Sequence, residues 1–313
     1  MSRVAVVAVG GNSLIKAKDR QSVPDQYDAL CETVEHVVGM IREGWEVVLT
    51  HGNGPQVGFI LLRSEISRSQ LHPVPVDSAV ADTQGAIGYQ FQKALFNEFR
   101  KHGLDKGAVT LVTQVVVDAQ DPAFQAPSKP IGPFMEEAQA REREKADGWS
   151  VMEDAGRGWR RVVASPKPKR IVELEAIRNL IQAGQVVIAV GGGGVPVVEK
   201  PEGLDGVAAV IDKDYASGLL AANLGADTFV ISTAVEQVYI RFGTPEQEGL
   251  TEVTLEQART LLEEGHFAKG SMRPKVEAAV AFLEAGGSSA IITNPQNLTR
   301  AVRGEAGTRF VRQ

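Results

Sequence analysis

Three lysines stand beside turns and helix starts instead of along helix faces. Lys129 lies in Lys129-Pro130-Ile131-Gly132-Pro133-Phe134, Lys213 in Val210-Ile211-Asp212-Lys213-Asp214, and Lys275 in Gly270-Ser271-Met272-Arg273-Pro274-Lys275. Elsewhere, hydrophobic stretches run straight into glycine or short polar turns. Residues 4–9 lead into Gly10-Gly11-Asn12, and 47–50 into His51-Gly52-Asn53-Gly54-Pro55-Gln56. Residues 186–190 lead into Gly191-Gly192-Gly193-Gly194, 229–232 into Thr233-Ala234-Val235, and 290–292 into Thr293-Asn294-Pro295. Several such turns on one parallel sheet set backbone N–H groups and helix N-termini along one edge, where they hold phosphate without a cation for each oxygen. A phosphoryl group in transfer spreads negative charge over its equatorial oxygens. Its catalysis is therefore mainly positioning and neutralisation, which three mobile ammonium groups suit. Each lysine taken singly has a plainer reading as a solvated surface residue. Asp212-Lys213-Asp214 also reads as the cap of the helix that follows, since Asp is a favoured N-cap. A lysine in a first helical turn opposes the dipole, however, and so wants a second reason.

Other phosphate and cofactor motifs fit poorly. No Gly-x-x-x-x-Gly-Lys-Ser/Thr loop occurs; Gly265 to Ser271 has the glycine spacing without the lysine. Gly52-x-Gly54-x-x-x-Gly58 has the wrong last spacing for a dinucleotide fingerprint and lacks its acidic partner. The five histidines show no metal-ligand spacing. The net charge of −6, with no long basic run, argues against nucleic acid and anionic membrane as partners. No apolar run reaches membrane-spanning length, and the start of the chain lacks a signal-peptide pattern. A single cysteine, Cys31, excludes an intramolecular disulfide and fits a reducing cytoplasm; it falls on an apolar helix stripe, where burial is expected.

The elements that must position these residues alternate. Tyr27, Leu30, Cys31, Val34, Val37, Val38 and Ile41 repeat at helical spacing, Gly44 stops that helix, and a strand follows at 46–50. Strand, helix and strand in this order imply parallel pairing by a right-handed crossover. Residues 79–99 read as one long helix, in which Gly85 and Gly88 would permit close backbone packing. Residues 109–117 read as one β-branched strand. In the second half, helices at 172–183 and 214–224 end at Gly184 and Gly225, each before a strand. Thr254 and Gln257 have capping-box spacing for a helix ending at Gly265. Pro274 is placed as the first residue of a helix ending at Gly286-Gly287. With 313 residues, 43% of them hydrophobic, the chain can bury a large core. The reading is a single α/β domain over 1–313, a three-layer sandwich around a mainly parallel sheet. Residues 118–169, rich in charge and proline, break the alternation. They read as an inserted lid subdomain with a hairpin of 149–153 and 159–163 about Asp154-Ala155-Gly156-Arg157-Gly158; the plainer alternative is a mobile surface excursion.

Taken together the motifs resemble those of the carbamate kinases of the amino acid kinase family, nearly end to end. The matching pieces are Gly10-Gly11-Asn12, Thr50 to Gly58, Thr83-Gln84-Gly85-Ala86-Ile87-Gly88-Tyr89, Lys129-Pro130-Ile131-Gly132-Pro133, Val163-Ala164-Ser165-Pro166-Lys167-Pro168, Gly191 to Pro196, Ile211-Asp212-Lys213-Asp214 and Gly270-Ser271-Met272-x-Pro274-Lys275. Glycine-rich turns are common in the family, whereas His-Gly-Asn-Gly-Pro-Gln and Lys-Pro-Ile-Gly-Pro are more specific to carbamate kinases. The resemblance implies reversible phosphoryl transfer between ATP and carbamate, giving ADP and carbamoyl phosphate, with Mg2+ and run toward ATP synthesis. It implies Lys129, Lys213 and Lys275 as phosphoryl-stabilising groups and Asp214 as the carboxylate that orients them. Gly10, Gly11, Asn12, Gly52, Asn53, Gly192 and Gly193 would line the acceptor side, in an N-terminal half of about 1–185. Thr233, Ala234, Val235, Tyr239 and Met272, with Lys213 and Lys275, would meet the nucleotide in a C-terminal half of about 186–313. A homodimer is implied as well. Two departures fall on the nucleotide side: Ala234 where the family usually has an acid or amide, and Arg273 where it usually has glycine. The alternatives are a kinase of another small carboxylate such as N-acetylglutamate, and a non-catalytic sensor of nucleotide or carbamoyl phosphate.

Overall fold

The structure, a computed structural model, describes residues 3–11, 14–15, 17, 19–154, 156–268 and 270–313. Asn12 lies outside the described residues.

An eight-stranded sheet forms the centre. From one edge its strands are Glu252–Thr254, Thr308–Val311, Ser289–Thr293, Thr228–Ser232, Arg3–Val9, Trp45–His51, Val186–Ile188 and Ala108–Thr110. All neighbours pair in parallel except Ser289–Thr293 with Thr308–Val311. The strands expected to end in polar turns hold consecutive places, from Ser289–Thr293 to Val186–Ile188. Their C-terminal ends therefore line one edge. Arg3–Val9 reads as an unbroken apolar run because both of its faces are covered. Val6 and Ala8 enter one core with Phe229, Ile231 and the helices Lys213–Leu224 and Met272–Glu284. Ala5, Val7 and Val9 enter the other with the helices Val23–Arg42 and Val76–His102. This side-to-side alternation makes the three-layer sandwich that the sequence predicts.

The capping box read at Thr254 and Gln257 starts Leu255–Glu263, and Ser22 with Asp25 forms a second, not read from the sequence, at Val23–Arg42. The helix containing Pro274 starts earlier than predicted, at Met272, with Pro274 as its third residue. In Val76–His102, a Cβ on Gly88 would meet the Thr110 side chain at 2.2 Å, so this glycine admits the edge strand; Gly85 faces no atom within 4 Å.

The single strand expected over 109–117 is two strands in different sheets. Ala108–Thr110 ends the main sheet, while Gln114–Val117 joins a second one with Val195–Lys200, Gly203–Gly206 and Pro168–Ile171. The cause is a buried side chain from the long helix. Gln84 Oε1 accepts from Thr113 N at 2.7 Å, and its Nε2 donates to Thr113 O at 3.2 Å and to Gly191 O at 2.9 Å.

Most of the break at 118–169 forms a small separate sheet, while Pro168 and Lys169 already belong to the second one. Lys129–Met135, Trp159–Val163 and Ser150–Glu153 form an antiparallel sheet, backed by the helix Glu137–Asp147. The hairpin predicted from 149–153 and 159–163 is present in it. Lys129 opens the first strand, opposite Val163.

Candidate active site

The helix Lys213–Leu224 begins at the C-terminal edge of the main sheet with Asp212 as its N-cap. Asp212 Oδ1 accepts from Asp214 N at 3.0 Å, and Lys129 Nζ lies 3.1 Å from Asp212 Oδ2. Asp214 uses both oxygens on lysine: Lys213 Nζ donates to Oδ1 at 2.5 Å and Lys275 Nζ to Oδ2 at 2.7 Å. Two carboxylates thus gather three ammonium groups from three distant segments. Asp214 is only 3% exposed. Burial alone would raise its pKa, but Lys213 and Lys275 outweigh that and hold it down to about 2. Burial lowers the pKa of Lys213, against the pull of Asp214. Desolvating such groups costs more than their pairing returns in most settings, so the cluster is poorly explained by stability alone. It carries a net positive charge of one, awaiting an anion.

The glycine turns sit against this cluster. A Cβ on Gly52 would fall 2.7 Å from Gly11 N and 3.5 Å from Lys213 Cδ, so only glycine lets these backbones and the lysine stem meet. Asn53 is buried and donates Nδ2 to Thr83 Oγ1 at 2.8 Å. Burial pushes the His51 pKa down to about 4, leaving the ring neutral near pH 7 and unsuited to proton transfer. Its Nδ1 is 3.1 Å from Gly52 O.

Three cavities open around the lysines. Gly10, Gly11, Thr233, Ala234, Lys213 and Lys275 line one of about 370 Å³, with Gly270 and Ser271. Thr233, Ala234 and Lys275 also border a second of about 260 Å³, completed by Val235, Tyr239 and Met272. Its wall includes Phe242, His266 and Phe267, ring side chains suited to a flat heteroaromatic base. A third, of about 610 Å³, runs from Asn53 and Gly54 to Lys129 and the hairpin arginines Arg157 and Arg160. The first two cavities share Thr233, Ala234, Ser271 and Lys275, and the third opens on the Lys129 side, an arrangement that phosphoryl transfer between a nucleotide and a second substrate can use.

Most of the residues expected at the site are brought together. Gly192 and Gly193 stand behind it instead of on a cavity wall: a Cβ on Gly192 would meet Asn53 Nδ2 at 2.0 Å, and one on Gly193 would meet Ile211 O at 2.4 Å. Arg273 does not face the nucleotide cavity. Its Nε donates to Glu277 at 2.8 Å, and Glu277 also accepts from the Tyr215 hydroxyl. Sequence reading missed His266, Phe267 and Phe242, which no local motif marks. It took Asp212 only as a cap, although the lysine-rich motifs around it offered a signal for pairing.

The amino acid kinase family model matches residues 3–294. The chain is 51% identical to the carbamate kinase-like protein YahI of Escherichia coli, over 100% of both chains. It is 47% identical to the carbamate kinase of Thermococcus kodakarensis, again over 100% of both. Among solved structures, the carbamate kinase of Giardia lamblia bound to AMP-PNP superposes with a TM-score of 0.96 at 39% identity, covering 100% of this chain and 99% of that one.

Proposed function

The chain belongs to the amino acid kinase family, and on that premise we propose that it is a carbamate kinase, an ATP-dependent phosphotransferase acting on a carboxyl-type oxyanion. The observation that carries this reading is the convergence of Lys129, Lys213 and Lys275 on Asp212 and Asp214, between a base-sized cavity and the cavity that runs from Asn53 to Lys129.

An oxygen of carbamate attacks the γ-phosphorus of ATP in line. The bond from that phosphorus to the β,γ-bridging oxygen breaks, and ADP leaves with the electron pair. In the other direction, which we take as the working one, a β-phosphate oxygen of ADP attacks carbamoyl phosphate and ATP forms. Carbamate is already an anion, so no general base is needed, in keeping with a buried neutral His51. Lys213 and Lys275 would neutralise charge on the transferred group, while Asp214 holds them in place and charged. Lys129 would reach the acceptor side from the segment 118–169, acting as a lid. Gly10, Gly11, Gly52 and Asn53 would present backbone and amide donors to the acceptor and phosphate, in the N-terminal half; Thr233 to Tyr239 and Met272 would hold the nucleotide in the C-terminal half.

Among the described residues no group of three or more His, Cys, Asp and Glu side chains could hold a metal, and Asp212 and Asp214 are taken by lysines. Magnesium would arrive as part of the nucleotide substrate, held by phosphate oxygens and water. No helix among the described residues is long and apolar enough to cross a membrane; we place the enzyme in the cytoplasm. A homodimer is supported by the outer face of the long helix, where Tyr89 and Phe96 are 62% and 58% exposed and Gly85 leaves room for a second backbone.

The test is a coupled assay of ATP formation from ADP and carbamoyl phosphate, beside a panel of N-acetylglutamate, aspartate and glutamate as acceptors. Activity on carbamate should dominate. No arginine sits in the loops 10–12 or 51–58 to grip a second carboxylate, and Arg68 is held by Glu65 and Asp147. Greater activity on an amino-acid carboxylate would leave only the family assignment standing.

A further inference from the structure

A fourth lysine, Lys167, stands beside the site and lines none of its three cavities. It lies in Ser165-Pro166-Lys167-Pro168, where the segment 118–169 returns to the body of the protein. Prolines on both sides stiffen this arm: each fixes its own φ, and Pro168 biases Lys167 toward an extended backbone. Lys167 N donates to Asp121 Oδ2 at 3.0 Å, so the returning arm is tied to the outgoing one. Three residues earlier, Ala164 O accepts from Val210 N at 2.9 Å. That bond ties the arm to the run that leads into Asp212 and Lys213.

The ammonium of Lys167 rests on a ring instead of a carboxylate. Its Nζ lies 3.2 Å from the centre of the Tyr215 ring. Among the described residues it makes no ion pair and donates no hydrogen bond. The carboxylates that act on it from farther away are Glu277, Asp212 and Asp121, and each has closer partners. Glu277 accepts from the Tyr215 hydroxyl and from Arg273, Asp212 from Lys129 and Asp214 N, and Asp121 from the amides of Ala123 and Lys167. Tyr215 is the third residue of Lys213–Leu224, next to Asp214, and its hydroxyl reaches the helix that carries Lys275. One side chain of the arm is thus seated on a ring joined to both lysine-bearing helices. An ion pair holds two groups at set angles, whereas a cation is attracted anywhere over the ring face within about 6 Å of its centre. Such a contact suits an arm that must move.

We propose that Lys167 is a positioning residue for phosphoryl transfer: its ammonium on the Tyr215 ring sets the resting place of the arm, and with it the register of Lys129 against Lys213 and Lys275. Lys129 pairs with Val163, four residues before Lys167, so a displaced arm carries Lys129 with it. The effect on turnover rests on the role given to Lys129 above; the anchoring of the arm does not.

Amide hydrogen exchange at Val210 in the full chain reads the anchoring directly, because that amide is bonded to Ala164 O. In Lys167→Met, which keeps the stem and removes the charge, this exchange should quicken between about threefold and thirtyfold, the range of a cation–ring contact. Lys167→Arg should restore it, since a guanidinium also stacks on a ring. The kcat of ATP formation should fall by a similar factor in Lys167→Met and return in Lys167→Arg, with KM for ADP and the melting temperature close to native. In a Tyr215→Leu background, Lys167→Met should add little to either readout, because the ring is already gone. Native exchange at Val210 in Lys167→Met, no recovery in Lys167→Arg, or full additivity with Tyr215→Leu overturns the proposal. Quickened exchange with native kcat overturns the positioning role and leaves a structural anchor. If the chain made no ATP, or if Lys129→Ala kept its turnover, exchange at Val210 would still decide the anchor on its own.

Discussion

Lys129 and Asp212 are 83 residues apart in the chain and 3.1 Å apart in the structure. Asp212 divides its two oxygens between them, one capping the helix that follows and one holding the lysine. Asp212→Asn separates these duties. Asparagine caps a helix as well as aspartate does, so the melting temperature should barely move. Turnover should fall between about tenfold and a hundredfold as Lys129 loses its anchor. A variant with lowered stability and native turnover would make Asp212 a cap and nothing more.

Lys213→Ala should lower turnover by two to three orders of magnitude, roughly the cost of removing one contact to transition-state charge, with the far-ultraviolet spectrum unchanged. Asp214→Asn should also reduce turnover, through repulsion between Lys213 and Lys275, with a smaller effect on KM for carbamoyl phosphate. The helix cap is Asp212, so loss of a cap cannot explain a kinetic defect in the Asp214 variant. Near-native kcat in either protein would remove that residue from the reaction.

The buried lysine and carboxylate act at opposite ends of the pH range with the same sign, each adding stability as pH rises. Because burial lowers the Lys213 pKa below 10.5, the folded enzyme releases this proton before the unfolded chain does. Over that interval the unfolded chain holds more protons, so stability from this group rises with pH while activity falls. Asp214, held at about 2 against an ordinary 3.8, contributes stability that is complete above 3.8 and lost as pH falls toward 2. A kcat profile with an alkaline limb, recorded beside melting temperatures that do not fall in step, checks the first; melting below pH 4 checks the second. An alkaline limb tracking unfolding would discard the Lys213 assignment.

Ser128 N donates to Val163 O, so the ends of the inserted sheet already touch. Replacing residues 129–163 by a two-glycine link should remove phosphoryl transfer and spare ADP binding, because the cavities bordered by Thr233, Met272 and Lys275 contain none of these residues. Calorimetry with ADP and single-turnover transfer read the two outcomes. Sustained transfer would show that Lys129 and its segment are dispensable.

Ala234 and Arg273 should behave differently from one another. Ala234 borders the cavity of Val235, Tyr239 and Met272 proposed for the nucleotide, so Ala234→Asp should change ADP affinity more than that for carbamoyl phosphate. Arg273 is bound to Glu277, so Arg273→Gly should act on stability, costing about 1 kcal/mol for glycine in a helix, with ADP affinity close to native. A large loss of ADP affinity in Arg273→Gly would place its guanidinium on the nucleotide after all.

The main sheet was legible because its information is local. Each apolar run, each glycine stop and each capping pair, such as Thr254 with Gln257, is complete within a few residues. The lysine cluster was legible only through motifs, since nothing near Lys129 names Asp212 as its partner. The split at 110–114 was hidden because its cause, Gln84, lies on another element. The cavity proposed for the base was hidden for a similar reason: Phe267 and Phe242 look like any other apolar residues until the fold sets them beside Met272. Arg273 was misplaced because sequence proximity to Lys275 says nothing about direction, and one helical turn points its side chain at Glu277.

The central strand Arg3–Val9 is hydrogen-bonded along its length to Trp45–His51 on one side and to Thr228–Ser232 on the other. The loops proposed for the acceptor and for the nucleotide are thus mounted on a single stiff chassis. They cannot swing shut on their substrates like the jaws of a clamp, and the spacing between Gly52 and Thr233 is set before anything binds. The segment 118–169 hangs instead from the antiparallel pair of Gln114–Val117 and Pro168–Ile171, outside the main sheet. With the segment 118–169 as the proposed lid, substitutions in this pairing should slow or quicken the cycle without touching a reacting atom.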